Sequence, residues 1–166
     1  NLLRTKDMHN NTPIHIYVGS CSVDMDFLDR LFKFDVEVAT LPGRFGRLPL
    51  HYALCRCKGD PAMIKYLLNL NSQGASSRTN GGWIPLHYAV DRDEMNLEIV
   101  QALCECYPQG PFVKDFDGKV ALHWAVDRIY PINQDVIRYL VKMNPEACLS
   151  FASDRILSHG TVISYE

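Results

Sequence analysis

At 166 residues the chain has the size of one domain, and 47% hydrophobic residues are enough for a continuous core. Its 17 Lys+Arg against 19 Asp+Glu leave a net charge of −2, which argues against a general nucleic-acid binder, because that function needs a clear basic excess. No apolar run approaches the roughly 18 residues of a membrane span, and no signal peptide is visible. The chain opens on Asn1 rather than Met and so reads as a fragment, a processed mature form or an incomplete one, compatible with a removed transit peptide.

Residues 1–6 read as the tail of a preceding unit or a loose N-terminal arm. After them one pattern recurs: Thr12-Pro13-Ile14-His15, Leu48-Pro49-Leu50-His51, Ile84-Pro85-Leu86-His87 and Val120-Ala121-Leu122-His123, with the histidines 36 residues apart each time. A fixed period of that size is the signature of a stacked repeat protein. The turn before each motif carries Asn10, Gly46, Gly82 or Gly118, which tolerate the positive φ of a tight turn. A column of caps follows, Asp24, Asp60, Asn96 and (after one inserted residue) Asn133, each able to accept from the first free N–H groups of a helix. Four apolar quartets come next: Phe27, Leu28, Leu31, Phe32; Met63, Ile64, Leu67, Leu68; Ile99, Val100, Leu103, Cys104; and Val136, Ile137, Leu140, Val141. The spacing i, i+1, i+4, i+5 makes one buried helical stripe. Pro108 and Pro145 stop two of these helices.

Units are expected at about 7–42, 43–77, 78–114 and 115–151. The polar run Asn71–Ser77 reads as a loop, and an insertion falls near Tyr130-Pro131-Ile132. Residues 152–166 carry no further motif and read as a tail or an abortive fifth hairpin. Two short helices per unit cannot bury a core alone, so stacking must close it.

These motifs resemble the ankyrin repeat: a Gly-bearing turn, Thr-Pro-Leu-His-x-Ala opening a first helix, and a Val-Val-x-x-Leu-Leu second helix. The resemblance covers about residues 7–150. It implies an all-α solenoid of four stacked helix-turn-helix repeats, with short hairpin turns between them. The repeat is longer than the usual length of about 33 residues, with the extra residues around Asp93–Met95. In this long style it is similar to ankyrin arrays of diatoms and related algae. Tyr17 stands where the family has a small Ala, which makes the first unit atypical.

Several constellations invite chemistry. Histidines a whole repeat apart cannot share a metal, since stacked helices lie about 8–10 Å apart and zinc–nitrogen bonds are about 2.0–2.1 Å. The resemblance implies that they hydrogen-bond backbone between neighbouring units. Cys55/Cys57 and Cys104/Cys106 diverge on their helices, so the six cysteines read as free thiols in a reducing intracellular compartment, either cytoplasm or an organelle. Asp115-Phe116-Asp117-Gly118 resembles the start of a calcium loop, but its twelfth position is Val126 rather than Glu. No nucleophile elbow, phosphate loop or zinc-protease motif occurs. No catalysis, metal or cofactor is therefore expected.

The informative positions are those the repeat does not need. On the first helices these are Tyr52, Cys55 and Arg56; Tyr88, Asp91 and Arg92; and Trp124, Asp127 and Arg128. By the resemblance that face lines a concave groove, which the turn tips continue with Arg44, Phe45, Arg47, Trp83, Phe116 and Lys119. Tyr, Trp and Arg are enriched at binding hot spots. The competing reading has the rings packed on the neighbouring helix and each Arg paired with an Asp. The expected partner is another protein, through an acidic or partly apolar segment; nothing indicates nucleic acid, membrane insertion or homo-oligomerisation. A permanently bound subunit of a large assembly, and a regulatory domain cut from a longer enzyme, are the alternatives.

Overall fold

The computed structural model describes residues 2–20, 22–56, 59–91, 95–127 and 133–148, with Arg56 as backbone alone. Several expectations lie outside the described residues: the cysteines Cys21 and Cys57, the arginines Arg92 and Arg128, the extra residues at Asp93 and Glu94, the insertion at Tyr130-Pro131-Ile132, and the tail from Ala152 onward.

Four helix pairs follow one another: α1 (Pro13–Val18) with α2 (Met25–Phe34), α3 (Pro49–Arg56) with α4 (Pro61–Leu70), α5 (Pro85–Val90) with α6 (Leu97–Cys106), and α7 (Ala121–Val126) with α8 (Gln134–Met143). Local chemistry sets where each begins. Pro13, Pro49, Pro61 and Pro85 occupy first helical positions, where a fixed φ is already helical and a missing N–H costs nothing. The cap column does what its spacing predicts. Asp24 Oδ1 accepts from the Asp26 and Phe27 N–H groups at 2.9 and 3.1 Å, and Asn96 Oδ1 from Glu98 and Ile99 at 2.9 and 3.3 Å. Asn133 repeats the arrangement with Asp135 and Val136, and Asp60 accepts from the Ala62 N–H at 3.1 Å.

Ahead of each first helix the chain makes a narrow finger. One backbone hydrogen bond closes each: Asp7 N–H to Asn11 O, Gly43 to Arg47, Thr79 to Trp83 and Asp115 to Lys119, all 2.8–2.9 Å. The sharp reversal falls on Asn10, Gly46, Gly82 and Gly118, with φ of 67°, 72°, 78° and 77°. Among the described residues the fingers carry no strand, so the short hairpin turns are present only as these closures. The stretch expected to be a loop, Asn71–Ser77, instead forms a 3-10 turn over Ser72–Ser76, as Val36–Thr40 and Gly110–Phe112 do in their units. Its polar composition hid the reason: Asn71 Oδ1 accepts from the Gly74 N–H at 3.2 Å and caps the turn.

The first helices stack in one row, α1 on α3 on α5 on α7, and the second helices in another, with α4 on α6 and α6 on α8. The quartets divide between the two sides of their unit. All four residues are buried in α4 and in α6. In α2 only the second and fourth, Leu28 and Phe32, are buried; in α8 only the first and third, Val136 and Leu140. The first and third positions therefore face the preceding unit, and the second and fourth the following one. Each fully buried aliphatic contributes about 1.5–3 kcal/mol, and such columns are what close the core.

Candidate functional site

Each repeated histidine ties its finger to its helix. The ring Nδ1 accepts the N–H of the residue before the helix: Thr12 to His15 at 3.1 Å, Leu48 to His51 at 3.0 Å, Ile84 to His87 and Val120 to His123 at 3.2 Å. That leaves the proton on Nε2. From there His15 donates to the Arg47 carbonyl at 3.1 Å and His87 to the Lys119 carbonyl at 3.4 Å, each one finger further along. At His51 the Ser77 carbonyl raises proton affinity, although Nε2 reaches no partner in hydrogen-bond geometry. Burial pushes the imidazoles down, His51 to about 3 and His15 and His87 in the same direction, so they are neutral structural links.

The next column along is aromatic, and it splits. Tyr52 is buried: its hydroxyl donates to Asn11 Oδ1 and its ring stands edge-on to His15 at 5.1 Å. Tyr88 is also buried and edge-on to His51 at 5.4 Å, with its hydroxyl accepting from Arg47 Nε at 3.1 Å. Both rings serve the stack, and Tyr88 shows only one side to the surface. Trp124 is half-buried; its indole N–H donates to Asp115 Oδ2 at 2.8 Å, and Lys119 Nζ sits 4.3 Å above the ring. Trp83 lies against both neighbours, 4.6 Å from Trp124 and 5.1 Å from Tyr88.

Cations flank this aromatic ladder. The Arg47 guanidinium is 5.2 Å from the Tyr88 ring centre and 5.6 Å from that of Phe45, and the Arg44 guanidinium also lies over the Phe45 ring, 4.6 Å from its centre. Lys119 also pairs with exposed Asp127 at 3.1 Å. Phe45 and Phe116 are exposed at the finger tips. Phe116 lies across the third finger at Gly82, where a Cβ would meet its ring at 2.7 Å. Between the second and third fingers these groups line an open concavity of about 530 Å³, walled by Phe45, Arg47, Trp83, Tyr88 and Asp91. Five of the candidate residues thus converge there. Arg44, Phe116, Lys119, Trp124 and Asp127 flank it along the fingers; Tyr52 does not reach the surface.

Cys55, on the same helix face as Tyr52, also lines the concavity, and so does Asn80, which was not among the candidate residues. Asn80 shares a repeat position with Met8, Arg44 and Phe116, and the variety in that column is the signal that could have found it. The Asp115 loop is a turn: its Oδ1 accepts from the Asp117 and Lys119 N–H groups at 3.0 and 2.9 Å. Among the described residues no three His, Cys, Asp or Glu side chains converge as a metal site would require.

A row of helix pairs with projecting fingers and a mixed aromatic and cationic groove defines a helical repeat solenoid. Residues 54–150 match the family model for ankyrin repeats (three copies), and the chain belongs to the ankyrin repeat family. No curated protein matches it. Ankyrin repeats generally mediate protein–protein interaction and are generally non-catalytic.

Proposed function

We propose that the finger-and-groove face holds an acidic, partly apolar segment of another protein, centred between the second and third fingers. The concavity bounded by Phe45, Arg47, Trp83 and Tyr88 carries this reading, since it offers flat apolar surface with a guanidinium already fixed beside it. A pre-positioned Arg loses little entropy on meeting a carboxylate and can engage it with two hydrogen bonds. The exposed Phe45 and Phe116 supply apolar contact at the rim, and Arg44 and Lys119 extend the positive potential along the fingers. The 36-residue step puts Arg56, Arg92 and Arg128 at one repeat position, and the reading extends the acidic contact along that row. Free Cys55 and Cys106, both exposed, support a reducing intracellular compartment.

Selection from a displayed random peptide library on the immobilised chain tests the proposal. Acidic residues next to aliphatic or aromatic ones should be enriched, and raising the salt concentration should weaken capture. The combined variant Arg44→Gln, Arg47→Gln, Lys119→Gln should lose that enrichment while its melting curve stays close to the parent's. A second variant, Arg56→Gln, Arg92→Gln, Arg128→Gln, reports on the row. Enrichment of basic peptides, or unchanged capture by the first variant, would sink the reading.

A further inference from the structure

The end of the stack formed by α1 and α2 is built as an internal interface. Its apolar residues occupy repeat positions that are covered in the other units, or half-covered in the case of Trp124. Phe27 is 42% exposed, whereas Met63, Ile99 and Val136 at the same position are 3%, 2% and 0% exposed. Ile16 is 54% exposed, while Tyr52 and Tyr88 in its column are buried. With Leu3, Tyr17 and Leu31 these two line an apolar concavity of about 690 Å³. A terminal unit that ends a solenoid presents a polar outer face, and this one does not.

A second observation says what covers it. In the first three units the second helix runs into a 3-10 turn, closed by Leu41 N–H to Val38 O, Ser77 to Gly74 and Val113 to Gly110 at 3.4, 3.1 and 3.1 Å. Residues Leu2–Arg4 form the same 3-10 turn in the same register, closed by Thr5 N–H to Leu2 O at 3.3 Å. Arg4 anchors it to the first unit's own exit turn, its Nε and Nη2 donating to Asp35 at 2.6 and 2.8 Å and Nη2 to Glu37 at 2.7 Å. Residues 2–5 thus have the structure of a unit's end, docked where a preceding unit's end belongs. Of the two readings of residues 1–6, a preceding unit's tail and a loose arm, the geometry favours the first.

We propose that a further helix pair of the same 36-residue pattern precedes this chain in the same polypeptide and stacks on the Ile16–Phe27–Leu31 face. The apolar residues of that pair fall 36 positions before Leu28 and Phe32, the places that face a following unit. Its first helix opens 36 positions before Pro13, with a histidine 36 before His15.

Intact-mass and N-terminal sequencing of the polypeptide from its source should find that period upstream of Asn1. Phe27→Lys is then compared in the source-length chain and in the 166-residue chain. Burying a lysine there should lower Tm by about 5 °C or more in the longer chain, and by less than about 2 °C in the shorter one. Should the longer variant fail to fold, Phe27→Ala gives the same comparison in milder form. A source polypeptide without the upstream period, or equal Tm shifts in both chains, overturns the proposal. A dimer of the 166-residue chain that Phe27→Lys dissolves also overturns it, since a second copy would then hold the face. Peptide capture at the fingers should be unchanged by Phe27→Lys, which keeps this test separate from that of the recognition face.

Discussion

The first and third helix pairs are the same object in different company. Both open on Pro and His, both cap the second helix with a short polar side chain, and both carry the apolar quartet. Yet α6 buries all four quartet residues and α2 only two. The helices themselves do not differ in kind; what differs is whether a neighbour lies on each side. Burial in a solenoid is a nearest-neighbour property, and the energetic worth of a side chain follows its neighbour rather than its helix.

The largest effect should separate equivalent residues of the two pairs. Ile99→Ala empties a site that the preceding unit closes and should cost about 2–5 kcal/mol, whereas Phe27→Ala, with no unit before it in the 166-residue chain, should cost about 1 kcal/mol. Urea unfolding of both variants checks it, and equal losses would break the comparison. Acid gives the next effect. His51, inside the stack, has its folded pKa depressed to about 3, so its contribution is complete above the unfolded value of about 6.5 and is lost as pH falls toward 3. At pH 5 that removes about 2 kcal/mol from His51 alone, with His15 and His87 adding in the same direction. Urea midpoints at pH 7 and pH 5 should differ accordingly, and a flat profile would contradict neutral buried imidazoles.

Two smaller effects sharpen the same contrast at the fingers and caps. Gly82 and Gly118 have nearly the same positive φ, but a Cβ on Gly82 would strike Phe116 whereas one on Gly118 meets nothing within 4 Å. Gly118→Ala should therefore cost about 1–2 kcal/mol from backbone strain alone, and Gly82→Ala measurably more, by thermal melting. Removing a cap, Asp60→Ala, should cost about 1 kcal/mol by the same measurement. A loss near zero would mean the α4 N-terminus is held by stacking instead.

Much of this was legible in the residues themselves. The positive-φ turns, the capping side chains and the start of α2 after Asp24 all follow from short-range chemistry repeated at a fixed step, and repetition makes a weak local signal unambiguous. The recognition surface was legible only in part. Tyr52, Tyr88 and Trp124 share one column, but the partner of each ring is set by what the adjacent finger presents: Asn11 for Tyr52, Arg47 for Tyr88, and Asp115 and Lys119 for Trp124. A period defines which residues are equivalent and cannot say which equivalents stay at the surface. The sequence by itself determined the unit, its helices and its stacking, because those depend on residues within one turn or one period of each other. That Trp83, Arg47 and Phe45 meet in one groove, and that Ile16 and Phe27 stay exposed at the α1–α2 end, came only from the folded arrangement, because both depend on what each unit finds beside it.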